Sequence, residues 1–169
     1  MDFNKLIKKA EYSSFNLWLL NFLLHRFIPF NKPHGLKILK ISKDEVQVKI
    51  PYKKSNLNHI KGLHACVLAT AAEYSSGLLL LYKIGAKDYR IIMESLNVEY
   101  HYQAKMEAVA RFSIKEEEFE STVVEPLKKT GKVFKPCAIE LHDVKGNHLC
   151  SATTNWQIKS WKSVKTKLD

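Results

Sequence analysis

The chain has 169 residues, 46% of them hydrophobic and 26% charged, the ordinary proportions of a globular protein built around one core. A net charge of +10 suits anionic partners such as nucleic acid, anionic lipid or a phosphorylated cofactor, yet no zinc-ligand pairs, RNP-like aromatic strand or basic zipper mark a nucleic-acid module. Three cysteines, Cys66, Cys137 and Cys150, have no CxxC spacing; they argue against a disulfide framework or a metal site and fit reduced thiols in the cytoplasm.

In chain order, periodicity predicts one helix from about residue 4 to 27, ending before Pro29. Its apolar run, residues 15–24, follows Lys5, Lys8 and Lys9 as the core of a signal peptide would. No small-residue cleavage site comes after it, and the run is short for a bilayer span and holds two asparagines. It reads as a buried or interfacial helix, with a membrane-surface helix as the lesser reading, since Trp and Phe opposite lysines would suit one. Residues 1–34 are this helix and its connection, and 35–169 form the main body of a single domain.

Residues 36–41 and 46–50 alternate across Ser42, Lys43 and Asp44 as a β-hairpin. A polar loop over 53–62 leads into a long helix from about 64 to 82, stopped near Gly85. Residues 96–103 read as a half-buried strand and 108–114 as another. An acidic helix then starts at Glu116, with Lys128 and Lys129 at its far end and Pro126 limiting it. Residues 132–143 and 147–159 form a last hairpin around Lys145 and Gly146, ahead of a basic cluster at Lys159, Lys162, Lys165 and Lys167. A long apolar helix followed by a run of strands is an α+β pattern, a curved antiparallel sheet packed around that helix.

The most informative stretch is Asn58-His59-Ile60-Lys61-Gly62-Leu63-His64-Ala65-Cys66, running into Val67-Leu68-Ala69-Thr70-Ala71-Ala72-Glu73. A polar loop with one glycine opens a helix carrying a single carboxylate among small and apolar residues. Such a charge is costly to bury unless it is paired or used. The helix start offers unpaired N–H groups and a positive dipole end, which suit a developing oxyanion. Carboxylate and helix start stand two turns apart, within reach of one substrate carbonyl on this reading. Cys66 reads as a small buried thiol in preference to a nucleophile. His101, His142 and His148 read as solvent-facing strand residues, Trp18, Trp156 and Trp161 as core or interface aromatics, and Ser75-Ser76 lacks a GxSxG setting.

The run from Asn58 to Gly77 resembles hotdog-fold thioesterases of the PaaI-like group, most closely their DUF4442 branch. Ser95 to Tyr100 resembles the strand after the hotdog helix, and Lys145-Gly146-Asn147 with Ala152 to Trp156 looks like the closing hairpin. The resemblance covers roughly residues 15–160, so it implies a hotdog fold for the main body, preceded by an extra N-terminal helix. By it Glu73 would be the general base or nucleophile on an acyl-CoA or related acyl thioester, and the Ala65 N–H the oxyanion donor. Asn58 would position the carbonyl or the water, and His64 would orient the thioester or support the loop. Gly62, His59 and Cys66 would line the substrate site. The resemblance implies no cofactor beyond the coenzyme A of the substrate. It also implies a homodimer, or a dimer of dimers forming a tetramer, in which Glu73 of one chain meets Asn58 and Ala65 of another. Ala65-Cys66 replaces the Gly-Gly of many relatives, and residues 102–105 lack their usual proline and glycine. Two alternatives stand beside hydrolysis: a non-catalytic hotdog module that binds acyl-CoA or acyl chains, and a hotdog dehydratase or hydratase using His59, fourteen residues before Glu73.

Overall fold

A computed structural model describes residues 3–164, so Lys165 and Lys167 of the basic cluster lie outside the described residues. Two helices open the chain, α1 (Phe3–Ala10) and α2 (Ser14–Phe27). The single helix expected here is broken. Ser13 adopts extended backbone and its hydroxyl accepts the Asn16 N–H, capping α2. Serine side chains compete for backbone donors in this way, so a local cap overrides the periodicity.

The hairpin β1 (Lys37–Ile41) and β2 (Glu45–Ile50) precedes the long helix α3 (Ala65–Ile84). Gly85, at φ 83°, terminates α3 in backbone that side-chained residues rarely adopt. Strands β3 (Tyr89–Tyr100), β4 (Ala108–Ser113), β5 (Lys132–Asp143) and β6 (His148–Ser160) complete one six-stranded antiparallel sheet in the order β1-β2-β4-β5-β6-β3. The strand expected over 96–103 starts earlier and ends at Tyr100, because the His101 and Tyr102 N–H groups both turn to the Leu149 carbonyl.

Between β4 and β5 the acidic segment runs as α4 (Glu116–Phe119), a π-turn (Glu120–Val124) and α5 (Glu125–Thr130). Pro126 does not end it as expected. It sits in the first turn of α5, where its missing N–H costs nothing, and the wider turn before it absorbs the change of register.

The core lies between the concave sheet and α3. Val46, Val48 and Ile50 pair across from Phe112, Ala110 and Ala108, and all six are buried. From the other half of the sheet come Ile139, Leu141, Ala152 and Ile158, closing on Leu79 and Leu80. The α3 sequence passes the length and composition test for a membrane span, but its apolar faces are covered by sheet, so it is a core helix. Leu6, Ile7, Leu20 and Leu24 join the same core from α1 and α2.

The two sheet edges differ. Asn21 of α2 accepts the Ile38 N–H at 2.7 Å and donates to the Ile38 carbonyl at 3.0 Å, so a helix side chain stands in for a neighbouring strand along β1. At the other edge the twelve-residue strand β3 has no second neighbour among the described residues.

Candidate active site

Glu73 lies midway along α3, half-buried among fully buried neighbours. Its carboxylate has no hydrogen-bond or ion-pair partner among the described residues, and burial pushes its pKa above the ordinary carboxylate value. It borders an apolar cavity of about 190 Å³ lined by Leu24 and Ile28 of α2, Leu78 and Leu81 of α3, Ile91 and Trp156. The Trp156 ring lies against the helix because Gly77 has no side chain: a Cβ there would stand 2.8 Å from the ring. Trp156 Nε1 donates to Ser76 Oγ and to Thr154 Oγ1, both at 3.0 Å, which fixes the ring beside Glu73. Ser76 is thereby occupied in a buried network, consistent with its sequence context.

The start of α3 has different chemistry. His64 is the N-cap, and its Nδ1 accepts the Cys66 N–H at 3.1 Å, so a neutral ring carries its proton on Nε2. Ala65 is an exposed residue, and its N–H precedes the first helical donor. Asn58 Oδ1 accepts from Ile60 N and Gly62 N, closing the loop, which leaves Nδ2 as its available donor. The positive φ of this loop falls on Lys61, not Gly62. Gly62 serves close approach instead, since a Cβ there would stand 3.2 Å from the Gln103 side chain. Asn58, Ala65, Tyr100 and Gln103 line a second cavity of about 300 Å³.

Asn58, His64, Ala65 and Gly62 are therefore brought together, while Glu73 stands apart. Eight residue steps along the helix separate Ala65 from Glu73, about 12 Å of axial rise. A single carbonyl does not contact both within one chain, which corrects the reach expected from the sequence. His59 sits on the exposed loop tip and lines neither cavity. Cys66 is exposed, contrary to the buried thiol expected: in the first turn of α3 it is Val67 and Leu68 that enter the core, and Cys66 lies on the uncovered side. The other two thiols are free, buried and pushed up to about 12 by burial.

Several site residues escaped the sequence reading. Tyr100 donates its hydroxyl to the Ala65 carbonyl at 2.9 Å, bracing the helix start from β3. Buried Asn56 ties the loop to the His34 and Pro51 carbonyls. Leu24 and Ile28 bring the first helices into the Glu73 cavity. The one signal that was available is Gly77, a turn beyond Glu73, marking where a large side chain crosses the helix.

His101, His142 and His148 are exposed as expected. They stand together on the outer face, ring centres 4.7 and 4.9 Å from that of His148. Among the described residues no three His, Cys, Asp or Glu side chains converge as a metal site.

The sequence profile of the family described as a domain of unknown function, DUF4442, matches residues 17–158. The chain belongs to the DUF4442 family. The match starts inside α2, so it takes in Leu24 and Ile28 of the Glu73 cavity and leaves α1 outside. A Pseudomonas aeruginosa protein described as of unknown function and a probable thioesterase superposes with a TM-score of 0.77 at 22% identity, over 84% of this chain and 94% of its own. A Haemophilus influenzae thioesterase gives 0.70 at 12% identity, covering 89% and 94%. A mutant of a Staphylococcus aureus thioesterase gives 0.64 at 14%, covering 78% and 98%. No curated protein matches. This DUF4442 protein thus has the hotdog fold and is thioesterase-like in architecture.

Proposed function

We propose that the protein hydrolyses acyl-CoA or a related acyl thioester, with Glu73 as the base. The observation that carries this is the unpaired, half-buried Glu73 carboxylate facing an apolar cavity. A desolvated carboxylate is a stronger base than one in water, and its raised pKa lies closer to neutral pH, where general bases work best. In the reaction Glu73 takes a proton from water and the resulting hydroxide attacks the thioester carbon. Negative charge collects on the carbonyl oxygen, which the Ala65 N–H and Asn58 Nδ2 receive. The oxyanion then collapses, the C–S bond breaks, and the thiolate takes the proton held by Glu73. Direct attack by the carboxylate, with an anhydride intermediate, is the other route open to the same residue.

Such a site needs two copies of the chain. The axial separation of base and oxyanion donor supports this, as does the long unpaired edge of β3. Along α3 the less covered positions Cys66, Ala69, Thr70 and Glu73 form one stripe. Two such helices packed antiparallel about Ala69 would set Glu73 of one copy beside Ala65 of the other. A homodimer formed edge to edge through β3 allows that arrangement.

The test is hydrolysis of a panel of acyl-CoAs, wild type beside Glu73→Gln, followed by loss of thioester absorbance because exposed Cys66 would consume a thiol dye. Turnover that collapses in a folded mutant supports the reading. A wild type that hydrolyses none of the panel, yet gains melting temperature from an acyl-CoA, would replace it with the binding module.

A further inference from the structure

The outer face of α2 carries a ridge of aromatic side chains in water. Phe15, Trp18 and Phe22 are 68%, 60% and 57% exposed and stack in sequence, with ring centres 5.9 and 6.0 Å apart. Their spacing places them on one stripe, opposite the buried Leu20 and Leu24 that hold the helix to the core. Tyr12, Phe27 and Phe30 in and beside the ends of the helix are also exposed. A stable monomer face does not ordinarily leave so many large rings uncovered.

The charges around the ridge identify what covers it. From residue 3 to 37 the basic residues are Lys5, Lys8, Lys9, Arg26, Lys32 and Lys37, against Glu11 alone. No salt bridge among the described residues neutralises Lys8, Lys9, Arg26, Lys32 or Lys37. A second copy docked ridge to ridge would bring the same cations together. An acidic partner surface matches the cations but gives the rings no apolar medium to enter. A bilayer with anionic headgroups offers both, since amphipathic rings settle at the headgroup level while cations meet lipid phosphates.

We infer that the aromatic ridge of α2 is a docking surface for anionic membranes. The orientation has a consequence, which rests on the hydrolase reading above. The inner side of the same helix contributes Leu24, and its C-cap Ile28, to the Glu73 cavity. A docked molecule would therefore hold that cavity one helix thickness from the lipid where long acyl thioesters partition.

Docking is tested without any turnover assay. The wild type is sedimented with vesicles of phosphatidylcholine alone and of phosphatidylcholine with phosphatidylglycerol, and Trp18 emission is followed. The expected result is binding to the phosphatidylglycerol vesicles, a blue shift, and weakening as salt is raised. Replacing both Phe15 and Trp18 by serine should abolish binding while leaving the melting temperature and water-soluble short-chain acyl-CoA turnover unchanged. Should that double variant be poorly folded, Lys8→Gln, Lys9→Gln and Arg26→Gln read the same surface, each lowering the partition coefficient about fivefold. Absence of wild-type binding to the anionic vesicles would overturn the proposal, as would equal binding by the serine variant. So would a serine variant that sediments as a smaller oligomer, which would show the ridge buried between copies. Failure of thioester hydrolysis with vesicle binding intact would overturn the proposed activity and leave the docking surface standing.

Discussion

Helices α2 and α3 are both apolar runs bounded by polar residues, yet the fold treats them oppositely. Helix α3 is wrapped by the sheet, whereas α2 rests on the rim with its largest rings in water. Side-chain size separates them. Most of the middle of α3 is Ala, Ser, Thr or Gly, so β-strands and the Trp156 ring approach its backbone closely. The outer stripe of α2 is Phe, Trp and Phe, too bulky for a concave sheet already filled by α3. Apolar composition therefore says that a helix has something to cover; the volume of its residues says whether the same chain can do the covering.

The sharpest way to break this contrast is at the carboxylate that the wrapped helix carries. Glu73→Gln is expected to lower kcat by about 10²–10⁴-fold, the share a general base supplies, in steady-state hydrolysis at neutral pH. The wild-type rate should fall with acid through a pKa above that of an ordinary glutamate, since only the ionised form accepts the proton. That acidic limb should vanish from any residual activity of the mutant.

Packing gives the next effect. Leu79→Ala empties a fully buried position on α3 and should cost about 2–5 kcal/mol in urea unfolding. Trp18→Ser on the open ridge of α2 should stay within about 0.5 kcal/mol despite removing a larger side chain. Equal losses at the two positions would mean that the ridge is covered in solution.

Gly77→Ala examines the close approach itself. Alanine favours helix by up to about 1 kcal/mol, but its Cβ would sit 2.8 Å from the Trp156 ring. Overpacking of about 1–3 kcal/mol should win, giving a net loss of stability and a displaced Trp156 fluorescence signal.

The smallest effect concerns the buried charge. Raised in the folded state, the Glu73 pKa makes the folded chain hold its proton more tightly than the unfolded chain does. The stability this gives is complete below the unfolded-state pKa and is lost as pH rises through the folded-state pKa. At neutral pH the wild type therefore carries the cost of an ionised carboxylate in an apolar cavity, and Glu73→Gln should melt a few degrees higher. The difference should close as the melts are repeated toward acid, where Glu73 is protonated and as neutral as glutamine.

Much of this architecture was readable from alternation and punctuation. The hairpin around Ser42 to Asp44, the helix stopped at Gly85 and the last hairpin at Gly146 all carried turn or cap residues beside regular apolar patterns. Where local hydrogen-bond chemistry competes with periodicity, the pattern misled. Ser13 split one expected helix into two, and a π-turn carried the acidic helix past Pro126.

The candidate site divides along the same line. Local features singled out Glu73 and the start of the long helix, because an isolated carboxylate in an apolar helix and a polar loop before a helix start have a physical cost or use. Asn58, His64 and the Ala65 N–H were named only through the resemblance to hotdog thioesterases. Sequence alone also determined the α+β class, since each segment's period reports which of its faces must be buried. Only the tertiary structure decided that Glu73 and Ala65 open onto separate cavities, that Leu24, Ile28 and Trp156 build the wall around the carboxylate, and that Cys66 lies in water. Those facts depend on which surfaces meet after folding. The path of the sheet around α3 fixes them, and residues far apart in the chain have no shared local pattern through which to announce that they will touch.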